Sequence, residues 1–154
     1  MKWYLLVWRR FGEFRGRARR MEYWMFVLFY FITLLVLALA VGGFGLIKQP
    51  VLGAFCAFLG GAYALVALVP GLACAVRRLH DSDRSGWWVL LGPAPIAAYF
   101  GGQLRSGLWL ILLLLGLALI ADIVLLVFLA LGGTPGDNHY GPDPKTRELP
   151  AAIG

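Results

Sequence analysis

The residues best equipped for chemistry lie in one polar run, Arg77-Arg78-Leu79-His80-Asp81-Ser82-Asp83-Arg84-Ser85-Gly86, set between long apolar stretches. His80 beside Asp81 or Asp83 has the residue types of an acid–base pair, and Ser82 and Ser85 those of a nucleophile. The run falls short of a signature for either catalysis or metal binding. A metal centre needs three or four converging ligands, and a hydrolase needs a nucleophile aligned by its base. The same residues also have a structural reading, with Asp83 or Ser85 capping the next helix and Arg77 or Arg78 pairing Glu22.

Three further groups carry polar chemistry. The turn from Gly136 to Pro144 holds Asp137, Asn138, His139, Tyr140 and Asp143, a composition that invites a metal reading, although its Gly and Pro residues point first to a rigid cap. Arg17, Arg19 and Arg20 precede Tyr23 and Trp24, so the cations can pair lipid phosphates while the rings anchor a helix at head-group depth. Asp122 interrupts an otherwise uncharged run, where a carboxylate costs about 2.5–3.5 kcal/mol and is normally partnered. Thr33 lies at matching depth, roughly 15 Å into the first apolar run against roughly 14 Å for Asp122 from the end of the last, which makes its hydroxyl the expected donor. The rival role for Asp122 is a proton or ion relay.

The elements that position these residues are membrane spans. Hydrophobic residues make up 60% of the 154 and charged residues only 14%, more apolar surface than a soluble core can bury. The net charge of +6 does not indicate nucleic acid, because the cations flank apolar runs where topology and anionic lipid already account for them. Cys56 and Cys74 fall in one expected helix, roughly 27 Å apart along its axis, and are read as small packing residues rather than a disulfide or metal pair. No cofactor and no metal are expected.

Uncharged stretches mark spans near 23–47, 51–76, 87–104 and 108–131, each measured against the roughly 20 residues that cross about 30 Å of hydrocarbon. Arg77-Arg78 should stop the second. Gly92-Pro93-Ala94-Pro95 breaks the third, which either spans or re-enters. Residues 1–20 form an interfacial or cytoplasmic segment whose apolar part is too short for a signal peptide, and 132–154 a cytoplasmic tail. Of fourteen basic residues, the four-span arrangement places all but Lys48 and Arg105 on one side, whereas a re-entrant third region gives eleven against three. Positive-inside bias therefore puts both termini in the cytoplasm.

Three segments together resemble the bacterial inner-membrane family of unknown function 805, the YhaH-like inner-membrane proteins. They are Phe14-Arg15-Gly16-Arg17-Ala18-Arg19-Arg20-Met21-Glu22-Tyr23-Trp24, then Arg77-Arg78-Leu79-His80-Asp81 with Ser85-Gly86-Trp87-Trp88, and Thr134-Pro135-Gly136-Asp137-Asn138-His139-Tyr140-Gly141-Pro142-Asp143-Pro144. The resemblance implies a membrane location and a shared architecture, and it brings no reaction, cofactor or catalytic residue.

The expected fold is all-α: one polytopic helical membrane domain, 1–154, of about four spans with an N-terminal interfacial helix, in a bacterial inner membrane. The expected function is a non-catalytic module binding anionic lipid or a partner protein through Arg17, Arg19, Arg20, Arg77 and Arg78, with Glu22, His80, Asp81, Asn138 and Tyr140 as cytoplasmic motif residues. The expected partners are membrane lipids, a protein or a second copy, not nucleic acid. The rival functions are a small transporter or channel subunit using Asp122 and, third, a lipid-acting enzyme.

Overall fold

The computed structural model describes residues 1–93 and 108–145. Its helices are α1 (Lys2–Arg9), α2 (Arg20–Leu46), α3 (Pro50–Asp81) and α4 (Leu108–Ala130), with a 3₁₀ helix at Gly86–Leu91. Among the described residues, α2, α3 and the Trp109–Ala130 part of α4 are long and apolar enough to cross a membrane. The expected third span is described only at its start, where Trp87–Leu91 is 3₁₀ rather than α-helix; residues 94–107 lie outside the described residues.

Contacts divide the described chain into two compact units, Met1–Phe14 with Met21–Cys74, and Arg15–Arg20 with Ala75 onward. In the first unit α2 and α3 run antiparallel. The reversal is a Schellman-type cap: Gln49 N–H donates to the Phe44 carbonyl at 2.8 Å and Lys48 N–H to Gly45 at 3.1 Å, with Lys48 at φ 56. Pro50 then opens α3, a position where its missing N–H costs nothing.

Glycines on α3 admit α2 closely. A Cβ on Gly53 would lie 3.6 Å from the Val41 carbonyl, one on Gly60 3.8 Å from Leu37, and one on Gly71 3.1 Å from the Phe26 ring. Gly61 meets nothing within 4 Å. Alongside, α1 contributes Tyr4 and Trp8 to an aromatic cluster. Tyr4 lies 5.2 Å from Phe29 and 5.9 Å from Phe26, Trp8 lies 6.4 Å from Tyr63, and Tyr63 lies 5.7 Å from Tyr30.

Arg77-Arg78 does not stop α3. The helix continues to Asp81, and its 32 residues give about 48 Å, well beyond the roughly 30 Å of hydrocarbon. The excess is long enough to carry the charged end of α3 beyond such a layer. In the second unit, the 3₁₀ helix docks on α4 with Trp88 edge-on to Phe128 at 5.1 Å, and α4 buries a stripe of Ala118, Leu125 and Leu129.

Candidate functional site: a charge lock closed on Asp81

The last turn of α3 places Arg78 and Asp81 three residues apart on one face, so both side chains reach the same point. Arg78 Nη1 donates to Asp81 Oδ2, and Arg17 Nε donates to Asp81 Oδ1 at 3.0 Å. All three side chains are nearly inaccessible: 0% for Arg78, 1% for Arg17 and 6% for Asp81. Two cations and one carboxylate at such burial persist only if their remaining hydrogen-bond capacity is met.

Backbone carbonyls meet it. Arg17 Nη2 donates to Thr134 O at 2.6 Å, and Nη1 to Gly136 O at 2.5 Å and Gly141 O at 3.4 Å. Arg78 Nε donates to Leu129 O at 3.0 Å, and its Nη2 to Leu131 O. Carbonyls at a helix C-terminus lack intrahelical donors and carry the negative end of the dipole, so Arg78 caps α4 as well as pairing Asp81. The Asp81 carbonyl accepts from Thr134 N–H at 2.8 Å and from its hydroxyl at 3.2 Å. Gly133 lets the chain pass: a Cβ there would overlap the Asp81 carboxylate.

A second ring of contacts ties the same segments through His80. Its Nδ1 lies 3.2 Å from Gly16 O; a carbonyl accepts only, so Nδ1 carries the hydrogen. The Tyr140 ring stacks on the imidazole at 3.8 Å between centroids and 5° between planes. The Asn138 amide donates to His80 O and to the Thr134 hydroxyl, both at 2.9 Å, while its Oδ1 accepts from Tyr140 N–H at 2.9 Å. That local bond, with the paired backbone bonds of Asn138 and Gly141, holds a tight hairpin at φ 129 for Gly141. His80 lies four residues past the uncharged part of α3, and burial pushes its pKa down, partly offset by the Gly16 carbonyl. Asp143 is held below the usual carboxylate value chiefly by the Lys145 backbone N–H at 2.9 Å.

The α3 end is finished by Asp83 at φ 55, with Arg84 N–H on Leu79 O at 3.0 Å and Asp83 N–H on His80 O at 3.1 Å, a Schellman cap with aspartate in the glycine position. The Asp83 carboxylate meets exposed His139 at 3.1 Å. Ser85 accepts from Trp87 N–H at 3.4 Å and caps the 3₁₀ helix. Gly86 is required there, since a Cβ would lie 2.7 Å from Val76 and 3.3 Å from His80 Nε2.

The structure therefore brings together Arg17, Arg78, His80, Asp81, Asn138 and Tyr140 from the three sequence motifs. Arg19 joins them through Pro144 O at 2.6 Å. Arg77 is fully buried, and its carbonyl accepts from Ala18 N–H at 3.0 Å. Arg20 is exposed. Glu22 is buried in the first turn of α2, in the other unit. Asp122 is half-buried on the α4 stripe. The Thr33 hydroxyl donates to the Phe29 carbonyl of its own helix at 2.8 Å. Gly133 enters the site without a sequence signal, Gly16 and Thr134 only as members of the quoted motif segments, and among the described residues no three metal-ligating side chains converge.

Long apolar helices joined at one end by a buried charge lock define a polytopic α-helical membrane protein. The chain belongs to the family described as "Protein of unknown function (DUF805)", which matches residues 11–142 and so takes in every lock residue from Gly16 to Gly141. It is 41% identical over 145 residues to "Inner membrane protein YhaI" of Escherichia coli K12, covering 94% of this chain and 97% of that protein. It is 39% identical over 153 residues to "Inner membrane protein YhaH" of the same organism, with 94% and 98% covered. "Uncharacterized protein YiiR" is 34% identical over 140 residues, 85% of each chain. No solved structure matches significantly.

Proposed function

We propose that the chain is a non-catalytic inner-membrane module that presents a rigid cytoplasmic face to anionic lipid. The observation that carries this reading is the commitment of Asp81 and His80. The groups best equipped for acid–base work hold the tail against α3, through Arg17 and Arg78 in one case and Gly16 and Tyr140 in the other. Arg15 and Arg20 stay exposed on the segment that enters the lock, as a face meeting phosphates needs. Residence in the inner membrane is supported by the names of the relatives YhaI and YhaH.

The lock also supports a four-crossing topology. Arg78 at the end of α3 caps the end of α4, so both helices finish on one face and α4 starts on the other. With Arg17 in the same lock, the Arg15–Arg20 segment and the tail share the face that positive-inside bias assigns to the cytoplasm.

The test is mass spectrometry of lipids retained on protein purified from native membrane. Wild type keeps anionic phospholipid and Arg15→Gln/Arg20→Gln loses it; equal retention would overturn the reading, and stoichiometric co-purification of one protein instead would make the face a protein-docking surface. A transport role rests on Asp122, which shares the buried stripe of α4 with Ala118 and Leu125. Ion flux into vesicles that survives in the wild type and is lost in Asp122→Asn is its signature.

A further inference from the structure

The lock leaves one part of the second unit unused. Arg84 extends its guanidinium over the Phe128 ring at 4.0 Å from the centroid, with Nη1 on the Ser82 carbonyl at 3.4 Å. Trp88 meets the same ring edge-on at 5.1 Å. In a 3₁₀ helix residues three apart are eclipsed, so Trp87 and Leu90 form one ridge, Trp88 and Leu91 a second, and Gly86 and Val89 a third. Trp88 packs on Phe128 of α4, whereas Trp87 is 78% and Leu90 60% exposed.

We infer that Arg84, Trp87 and Leu90 form a phospholipid anchor, in which the guanidinium takes the lipid phosphate and the two apolar side chains enter the boundary between head groups and acyl chains. Depth along α4 supports this occupant. Phe128 is two residues from the end of α4, about 3 Å along the axis, so the ring that holds Arg84 sits at the polar end of a membrane helix. A cation held over an aromatic ring, three residues before an exposed indole and six before an exposed leucine, matches one amphiphile: phosphate above and hydrocarbon below. Indole at this depth is favoured at membrane interfaces. The inference rests on the charged face meeting lipid, but uses none of Arg15 or Arg20.

The test uses full-length protein with Cys56 and Cys74 replaced by serine, reconstituted in phosphatidylcholine vesicles with and without phosphatidylglycerol. A nitroxide at position 87 collides preferentially with oxygen, while one at exposed position 139 collides preferentially with a water-soluble nickel chelate. Aqueous behaviour at 87 overturns the anchor, and so does shielding from both reagents, which marks a protein or second copy on the ridge. A bimane at position 90 reports the phosphate contact. Brominated phosphatidylglycerol quenches it at a mole fraction about fivefold lower than brominated phosphatidylcholine, and Arg84→Gln removes that difference. Equal quenching by both lipids in otherwise wild-type protein, or a preference that survives Arg84→Gln, refutes the assignment. Lipid retention through Arg15 and Arg20 can fail while both labels behave as expected, so the two readings fail separately.

Discussion

Replacing Asp81 by alanine removes the one carboxylate between two buried guanidinium groups. Two charge-assisted hydrogen bonds are lost, each worth about 1.5–3 kcal/mol, and taking one partner out of a buried ionic cluster costs about 3–5 kcal/mol. Both routes centre near 4 kcal/mol, about 8–16 °C in melting temperature for a chain of this size. Replacing all three residues by apolar ones does not restore stability, unlike in an isolated buried pair. Arg17 and Arg78 also satisfy the carbonyls of Leu129, Leu131, Thr134 and Gly136, and these would then be orphaned. The assay is thermal melting in detergent together with limited trypsin digestion. Arg17 is 5% exposed and Ala18 0%, so the bond between them resists trypsin while the lock is closed and is cut once it opens. An Asp81→Ala protein that melts with the wild type and stays protected at Arg17 would refute the reasoning.

Gly133→Ala, whose Cβ overlaps the Asp81 carboxylate, should cost about 1–3 kcal/mol as overpacking does; it should melt below Gly136→Ala, where there is open space and only a φ of 73 to strain. For His80, whose folded pKa lies below its ordinary value, the unfolded chain binds more protons as pH falls through that window. The stability His80 contributes is therefore present above about pH 6.5 and lost as pH drops through the folded value, so melting at pH 5.5 against 7.5 should fall further for wild type than for His80→Gln. Asp83→Gly should change stability by no more than about 1 kcal/mol, because relief of the left-handed backbone offsets the added freedom of the unfolded chain; Asp83→Val should melt lower.

Much of this architecture is legible in sequence because the membrane enforces simple rules. Uncharged runs at 23–47, 51–76 and 108–131 fall on α2, α3 and α4. The overshoot of α3 to Asp81 is hidden, since Arg77-Arg78 looks the same whether it meets head groups or, as here, is buried. The gathering of the three motifs follows from charge counting, but its chemistry does not. Arg17 and Arg78 find most of their acceptors on the backbone of Leu129, Leu131, Thr134, Gly136 and Gly141, and a carbonyl leaves no mark on residue type. Asp81 reads as one of several acids in a polar run. Its spacing of three from Arg78 was the available clue to a hub. Gly133 and Gly86 are further examples, for their importance lies in what stands opposite them.

The central claim is that the N-terminal motif, the end of α3 and the tail close on one another through Asp81. Cross-linking tests it most directly, using cysteines in place of Asp83 and His139, whose side chains meet at 3.1 Å, with Cys56 and Cys74 replaced by serine. In native membranes a short bifunctional thiol reagent should join the two positions within one chain in high yield, and adding Asp81→Ala should abolish the product. Absence of the cross-link, or equal yield with and without Asp81, would contradict the lock.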